Sequence, residues 1–209
     1  MAHSKTPAFA LAAILLSALA LRLAPWGQNR FLEDEALYSY WGLQIATGSD
    51  PMLDLEPVDK PPLYPYTLAL AFLASGTGTG GLKAEAIARL PSLLASLAAV
   101  ALTYRLGRSL YREPAVGLLA AALLALSPFD LLFASTAFTD PLLVGLVLAA
   151  LVAAARSQLA IAGLLAGLAA ATKQHALFFR PLIVAVAALS PSRISGIRSR
   201  SPMAQGPVA

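Results

Sequence analysis

The sequence predicts an all-α polytopic membrane protein with about six transmembrane helices and two further interfacial helices in the first outer loop. Three observations carry that reading. Of the 209 residues, 58% are hydrophobic and 12% are charged, and the mean hydropathy is +0.70, an apolar share beyond that of a soluble domain. The apolar residues fall in blocks at 7–24, 84–104, 114–134, 141–155, 158–172 and 174–190. Several of these blocks are shorter than the ~20 residues that cross an unthinned bilayer. The basic residues lie mainly between the blocks, where membrane-flanking loops carry them.

The first block follows Lys5 and reads as an uncleaved helix, although Ala18-Leu19-Ala20 also has the small-x-small pattern of a signal-peptide cleavage site. Next comes "FLEDEALYSYWG" (31–42), where Glu33, Asp34 and Glu35 sit side by side. From 34 to 48, Leu37, Tyr40, Trp41 and Ile45 form one helical stripe, which predicts an amphipathic interfacial helix. Asp34 and Glu35 then occupy its first turn, where the helix dipole and free backbone N–H groups favour an ionised carboxylate. Two readings stand together: the acids cap the helix and stay solvated, or one of them accepts a proton. The segment "PLYPYTLALAFLA" (62–74) is too short and proline-broken to span and is predicted to lie at the interface, with Tyr64 and Tyr66 at headgroup level.

Charge sets the orientation. If 62–74 does not cross, Arg105, Arg108, Arg112, Arg156, Arg193, Arg198, Arg200 and Lys5 share one side, which the positive-inside rule makes cytoplasmic. Ten of the eleven acids then lie outside, and only Glu113 is inside. The net charge of +4 does not indicate nucleic acid, because the 15 basic residues are scattered between apolar blocks. The absence of cysteine excludes disulfides and thiolate chemistry.

Three more features face the same outer side. "FTDPLL" places Asp140 at the mouth of a span, before Pro141, which equally suits an ordinary helix start. "VDKPPLYPY" carries Lys60 ahead of a stiff double proline. "ATKQHALFF" brings Lys173 and His175 to a helix end, where snorkelling is the ordinary behaviour of a lysine.

The order "DEALYSYWGLQIATG", "KPPLYPY", "ARLPSLLASLAAVALTYRLGRSLY", "AALLALSPFDLLFASTAFTDPLL", "GLLAGLAAATKQHALFFRPL" resembles the N-terminal half of the polyprenyl-phosphate-sugar-dependent membrane glycosyltransferases. That superfamily includes the protein O-mannosyltransferases and the aminoarabinose transferases of lipid A. The resemblance, over residues 7 to 189, implies a GT-C fold and a catalytic Asp in the first-loop acidic motif, here Asp34. It also implies a second outer-loop acid, Asp140, and a phosphate-contacting cation, Lys60. Glu35 is expected to orient Asp34; Tyr64, Arg89, Lys173 and His175 are the further substrate-binding candidates.

The expected chemistry is attack by an acceptor hydroxyl on a lipid-phosphate-linked sugar, with a carboxylate as base and cations on the leaving phosphate. A divalent metal is the other way to neutralise that phosphate, and Asp34, Glu35, Asp140 and His175 include suitable hard-ion ligands. The expected partners are a polyprenyl-phosphate sugar donor, membrane lipid, and a protein, lipid or glycan acceptor. The expected place is the cell membrane, with the N-terminus cytoplasmic and the site outside. Residues 1–190 read as the transferase-like domain, with 25–83 as its first outer loop. Residues 191–209 are rich in Ser, Arg and Pro and read as a disordered tail. Because relatives are much longer, that tail reads as a truncated or frameshifted end. Two other classes fit parts of the pattern: a lipid-phosphate-binding or scaffold protein, and a transporter component.

Overall fold

The computed structural model describes residues 6–26, 30–55, 58–76 and 82–189, and within them the regular structure is helical. The helices are α1 (Thr6–Leu23), α2 (Glu33–Thr47), α3 (Leu63–Ser75), α4 (Leu82–Tyr111), α5 (Pro114–Ala125), α6 (Pro128–Ala134), α7 (Thr139–Ala155), α8 (Leu159–Thr172) and α9 (Arg180–Ala188), with a 3₁₀ turn at Gln174–Phe179 before α9. Lys5, Arg193, Arg198, Arg200 and the stretch 191–209 lie outside the described residues.

By length and composition, α1 and Lys83–Tyr111 of α4 can cross a membrane, and α5 with α6 makes a third if counted as one bent span. This is fewer than the six blocks suggested, because α3, α7, α8 and 174–188 are apolar but shorter. The block 114–134 is not one straight helix: α5 and α6 meet at a 60° bend. Pro128 disfavours helical geometry at the residue before it, and Ser127 is accordingly extended at φ −62° and ψ 120°. The block 174–190 is likewise divided, into the 3₁₀ turn and the nine residues of α9.

Helix α4 is the hub, packing against α1, α3, α5, α6 and α7. Its inward face carries a row of polar residues, Glu85, Arg89, Ser92 and Ser96, all buried. Their spacing of four, three and four places them along one side of the helix. Each is bonded to a different part of the fold. Glu85 pairs with Arg30 at 3.1 Å, and Arg89 with Glu35 of α2. Ser92 meets Tyr64 of α3, and Ser96 meets α1 and α6.

That last contact centres on Arg22, near the end of α1 and fully buried. Its Nε donates to Ser96 Oγ at 2.7 Å. Nη1 donates to the carbonyls of Ala18 at 2.9 Å and Ala125 at 3.3 Å, and Nη2 pairs with Asp130 Oδ2. Ser96 Oγ donates to the same carboxylate oxygen at 2.6 Å. Arg22 therefore supplies donors where the α5–α6 break frees a carbonyl, and Asp130 supplies the countercharge from the first turn of α6. The polar interior required by the bend comes from two helices remote in sequence.

Helix α2 forms as expected and ends on Gly48, which takes the left-handed conformation at φ 73°. Its buried face, however, is rotated from the predicted stripe. Glu35, Tyr38, Ser39, Trp41 and Gly42 are buried, whereas Leu37 and Tyr40 are exposed. The protein-facing side of α2 is set by its contacts with α3 and α4, so the stripe coincides with the buried face only at Trp41. Gly42 lets α3 approach: a Cβ there would lie 2.6 Å from Leu68 Cβ. The resulting cluster of Tyr38, Trp41, Tyr64, Leu68, Phe72, Ala88 and Ala137 joins α2 and α3 to α4 and to the loop before α7.

Candidate active site

The centre of the charged site is the Tyr38 hydroxyl on α2. Its electrostatic neighbours are Lys60, Asp34 and Asp140, and it is hydrogen-bonded to the Thr139 side chain. Lys60 in turn feels Asp59, Tyr38 and Asp34. Asp140 is held by Lys173, whose Nζ donates to both carboxylate oxygens at 2.8 and 3.0 Å. Asp34, Lys60, Asp140 and Lys173 come from α2, the loop before α3, the start of α7 and the end of α8. The fold brings these four side chains to one end of the bundle.

Packing fixes the phenol. Tyr38 stands edge-on to Trp41, with centroids 5.8 Å apart, and to Tyr64 at 5.4 Å, an arrangement that aromatic quadrupoles favour. Tyr64 is wholly buried, and its hydroxyl meets Ser92 Oγ at 2.9 Å. Ser92 also donates to the Phe138 carbonyl at 3.0 Å, which ties this scaffold to the residue before Thr139. Tyr64, expected to touch substrate at headgroup level, instead braces Tyr38 from beneath. Burial pushes the Tyr38 hydroxyl above its ordinary range, with Asp34 and Asp140 adding to the rise and Lys60 and the Thr139 bond opposing it. The phenol therefore stays protonated at neutral pH. Lys60 is held upward by the hydrogen bond and charge of Asp59, 3.3 Å away, so it stays a cation.

The two adjacent acids of α2 have different surroundings. Glu35 is buried. Its Oε1 accepts from Arg89 Nε at 3.1 Å and from the Ala137 N–H at 2.8 Å, and its Oε2 accepts from the Leu32 N–H at 3.0 Å. It locks the start of α2 to α4 and to the α6–α7 loop, so its role is positional. Asp34 is exposed, and no hydrogen bond or ion pair among the described residues takes its oxygens. One helical step separates a fastened carboxylate from an available one.

Asp140 does not cap its own helix: the N-cap of α7 is Phe138, and the carboxylate belongs to Lys173. Arg89 and His175 are not brought to this cluster. Arg89 lies with Glu35 under the Phe31 ring, 5.2 Å from its centroid, while His175 is exposed with its ring near Phe178. Among the described residues, no three His, Cys, Asp or Glu side chains gather as a metal ligand set. Sequence reasoning missed Tyr38 and Thr139. A signal existed for Tyr38, which stands four residues after Asp34 and so on the same helical face.

Within the described residues the fold is a helical bundle with segments apolar enough to cross a membrane and a charged cluster at one end. The family model of dolichyl-phosphate-mannose-protein mannosyltransferases matches residues 59–208. The chain belongs to that family and is a membrane glycosyltransferase of the mannosyltransferase type. The match takes in Lys60, Tyr64, Arg89, Asp140, Lys173 and His175, and it begins after Asp34 and Glu35. No curated protein and no solved structure matches the chain.

Proposed function

We propose that the chain transfers a sugar from a polyprenyl-phosphate donor to an acceptor hydroxyl at the outer face of the cell membrane. The observation that carries this reading is the meeting of an available carboxylate, Asp34, with Lys60 and the Asp140–Lys173 pair around a protonated phenol. The family name supports a dolichyl-phosphate type of donor and a protein acceptor.

In the proposed reaction the acceptor oxygen bonds to the anomeric carbon as the bond from that carbon to the phosphate oxygen breaks. Asp34 takes the acceptor proton, and the electron pair leaves with the phosphate. Lys60 counters the negative charge growing on that phosphate. Asp140 fixes Lys173 at the same end of the bundle, and Glu35 keeps α2 in register. No step requires a metal, although the exposed Asp34 is a hard-ion ligand.

The transferase-like domain spans residues 1–190, with the six apolar blocks as crossings and 25–83 as an outer loop holding α2 and α3. The shorter helices would tilt little and thin the bilayer locally. This topology puts Arg105, Arg108, Arg112 and Arg156 on the cytoplasmic side. Single cysteines at Ser49 and Ser109 should label from opposite sides with an impermeant thiol reagent. Labelling of both from outside would overturn the orientation.

The functional test is transfer of labelled sugar from purified lipid donor in detergent, with donor binding measured beside it. Lys60→Ala should lower kcat/KM on the order of 10–100-fold, the range for losing a hydrogen bond to a charged group, through both donor affinity and turnover. An unchanged kcat/KM would remove Lys60 from the site. Donor binding without any transfer by the unaltered chain would favour a lipid-phosphate-binding protein instead.

A further inference from the structure

A cavity of about 420 Å³ opens between α1, α2, α4 and α6. None of Asp34, Tyr38, Lys60, Asp140 or Lys173 lines it, so it is separate from the charged cluster. Arg89 and Glu35, both buried, line it together with the largely exposed Arg30, which pairs with Glu85. Arg89 is 3% exposed, yet only its Nε is used, by Glu35. Among the described residues no group accepts a hydrogen bond from its Nη1 or Nη2. A guanidinium that lines a cavity, is held by one edge and has its other nitrogens unbonded among the described residues is a fork for a phosphate or carboxylate. Glu35 does not cancel that fork alone, because its charge is shared with the Leu32 and Ala137 N–H groups.

The rest of the cavity indicates what carries the anion. Ser135 and Thr136 line it with hydroxyls that donate to the Leu132 and Phe133 carbonyls, so they offer lone pairs to a ligand donor such as a headgroup hydroxyl. Leu21, Leu131 and Leu132 supply an apolar wall. At its rim Leu21, Leu32 and Leu132 are 41%, 59% and 63% exposed, an apolar surface suited to acyl chains. A small hydrated anion has no use for that wall.

We propose that this cavity binds the phosphate headgroup of an anionic bilayer lipid, with Arg89 Nη1 and Nη2 on the phosphate oxygens and the leucines along the acyl chains. The site lies beyond the transfer reaction. Through Arg89 and Glu35 a lipid seated there would stiffen the first turn of α2, which carries Asp34.

The test is native mass spectrometry of the purified full chain with phosphatidylglycerol or phosphatidylcholine of matched acyl chains. Both headgroups carry the phosphate, but choline sets a cation against Arg89 and Arg30 and lacks the glycerol hydroxyls that Ser135 and Thr136 can accept from. The unaltered chain should therefore retain phosphatidylglycerol about tenfold better, roughly the net worth of one hydrogen bond. Leu131→Trp fills the cavity without touching the Glu35–Arg89 pair and should abolish the preference while leaving thermal unfolding in detergent unchanged. Arg89→Lys, which keeps the charge but loses the fork, should weaken it. Equal retention of the two lipids, or full retention of phosphatidylglycerol by Leu131→Trp, would overturn the site. Displacement of the lipid by millimolar inorganic phosphate would overturn the lipid assignment. One-for-one displacement by polyprenyl phosphate would make the cavity the donor's own headgroup site. Because the readout is lipid retention, a negative result leaves the transfer reaction to its own assay.

Discussion

Replacing Asp34 by Asn is expected to cut sugar transfer by on the order of 10²–10⁴-fold, the range for loss of a general base, while donor binding survives. Asn keeps the size of the side chain and most of its hydrogen bonding but accepts no proton at neutral pH. Structure favours this position over its neighbour because the Asp34 oxygens are unengaged among the described residues, whereas those of Glu35 hold Arg89, Leu32 and Ala137. Glu35→Gln should therefore act differently. It weakens the lock on α2 and lowers stability along with activity, and a second-site change that restores packing should recover part of both. Asp34→Asn should leave the melting temperature near that of the unaltered chain. Wild-type turnover in Asp34→Asn would sink the base assignment.

The largest structural effect is expected at Arg22. Arg22→Met leaves the Asp130 carboxylate buried without its countercharge and should destabilise the fold by about 3–5 kcal/mol, the cost of breaking a buried pair by removing one partner. Arg22→Met combined with Asp130→Leu removes both charges and should recover most of that loss, since well-packed apolar residues often replace a buried pair without cost. Equilibrium unfolding in mixed detergent micelles measures both. A single variant within 1 kcal/mol of the unaltered chain, taken as roughly the scale of an exposed pair, would mean that Arg22 is solvated in the membrane. A double variant no better than the single would show that the network acts through shape and not charge.

Much of the fold was legible because hydropathy blocks and charge bias record which segments prefer lipid. The helices Glu33–Thr47 and Leu63–Ser75 were legible from their apolar spacing, and Gly48 and Pro62 bound them as their chemistry demands. Rotation of α2 was not legible, since Leu37 and Tyr40 are apolar or aromatic yet exposed, and only packing against α3 and α4 selects the buried side. The α5–α6 break carried a signal in Ser127-Pro128, but apolar residues run through it and hid the bend. Arg22 and Asp130 were invisible as a pair because 108 residues separate them. In the site, Lys60, Asp140 and Lys173 were legible as charged residues at the ends of apolar segments. Tyr38 was missed while Tyr64 was singled out, because only packing decides which of two tyrosines is the brace and which faces the charges.

The Arg22 network also bears on how the chain is made. When α1 leaves the ribosome, Ser96 and Asp130 do not yet exist, and at about 5–20 residues per second the countercharge arrives roughly 5–20 s later. For that interval the first helix carries an arginine with no partner, and snorkelling to the headgroups is its cheapest position. Docking of α4 and α6 then draws the side chain inward. A helix made well before its partners is thus among the last to be finished, and its final depth is decided by residues translated long after it.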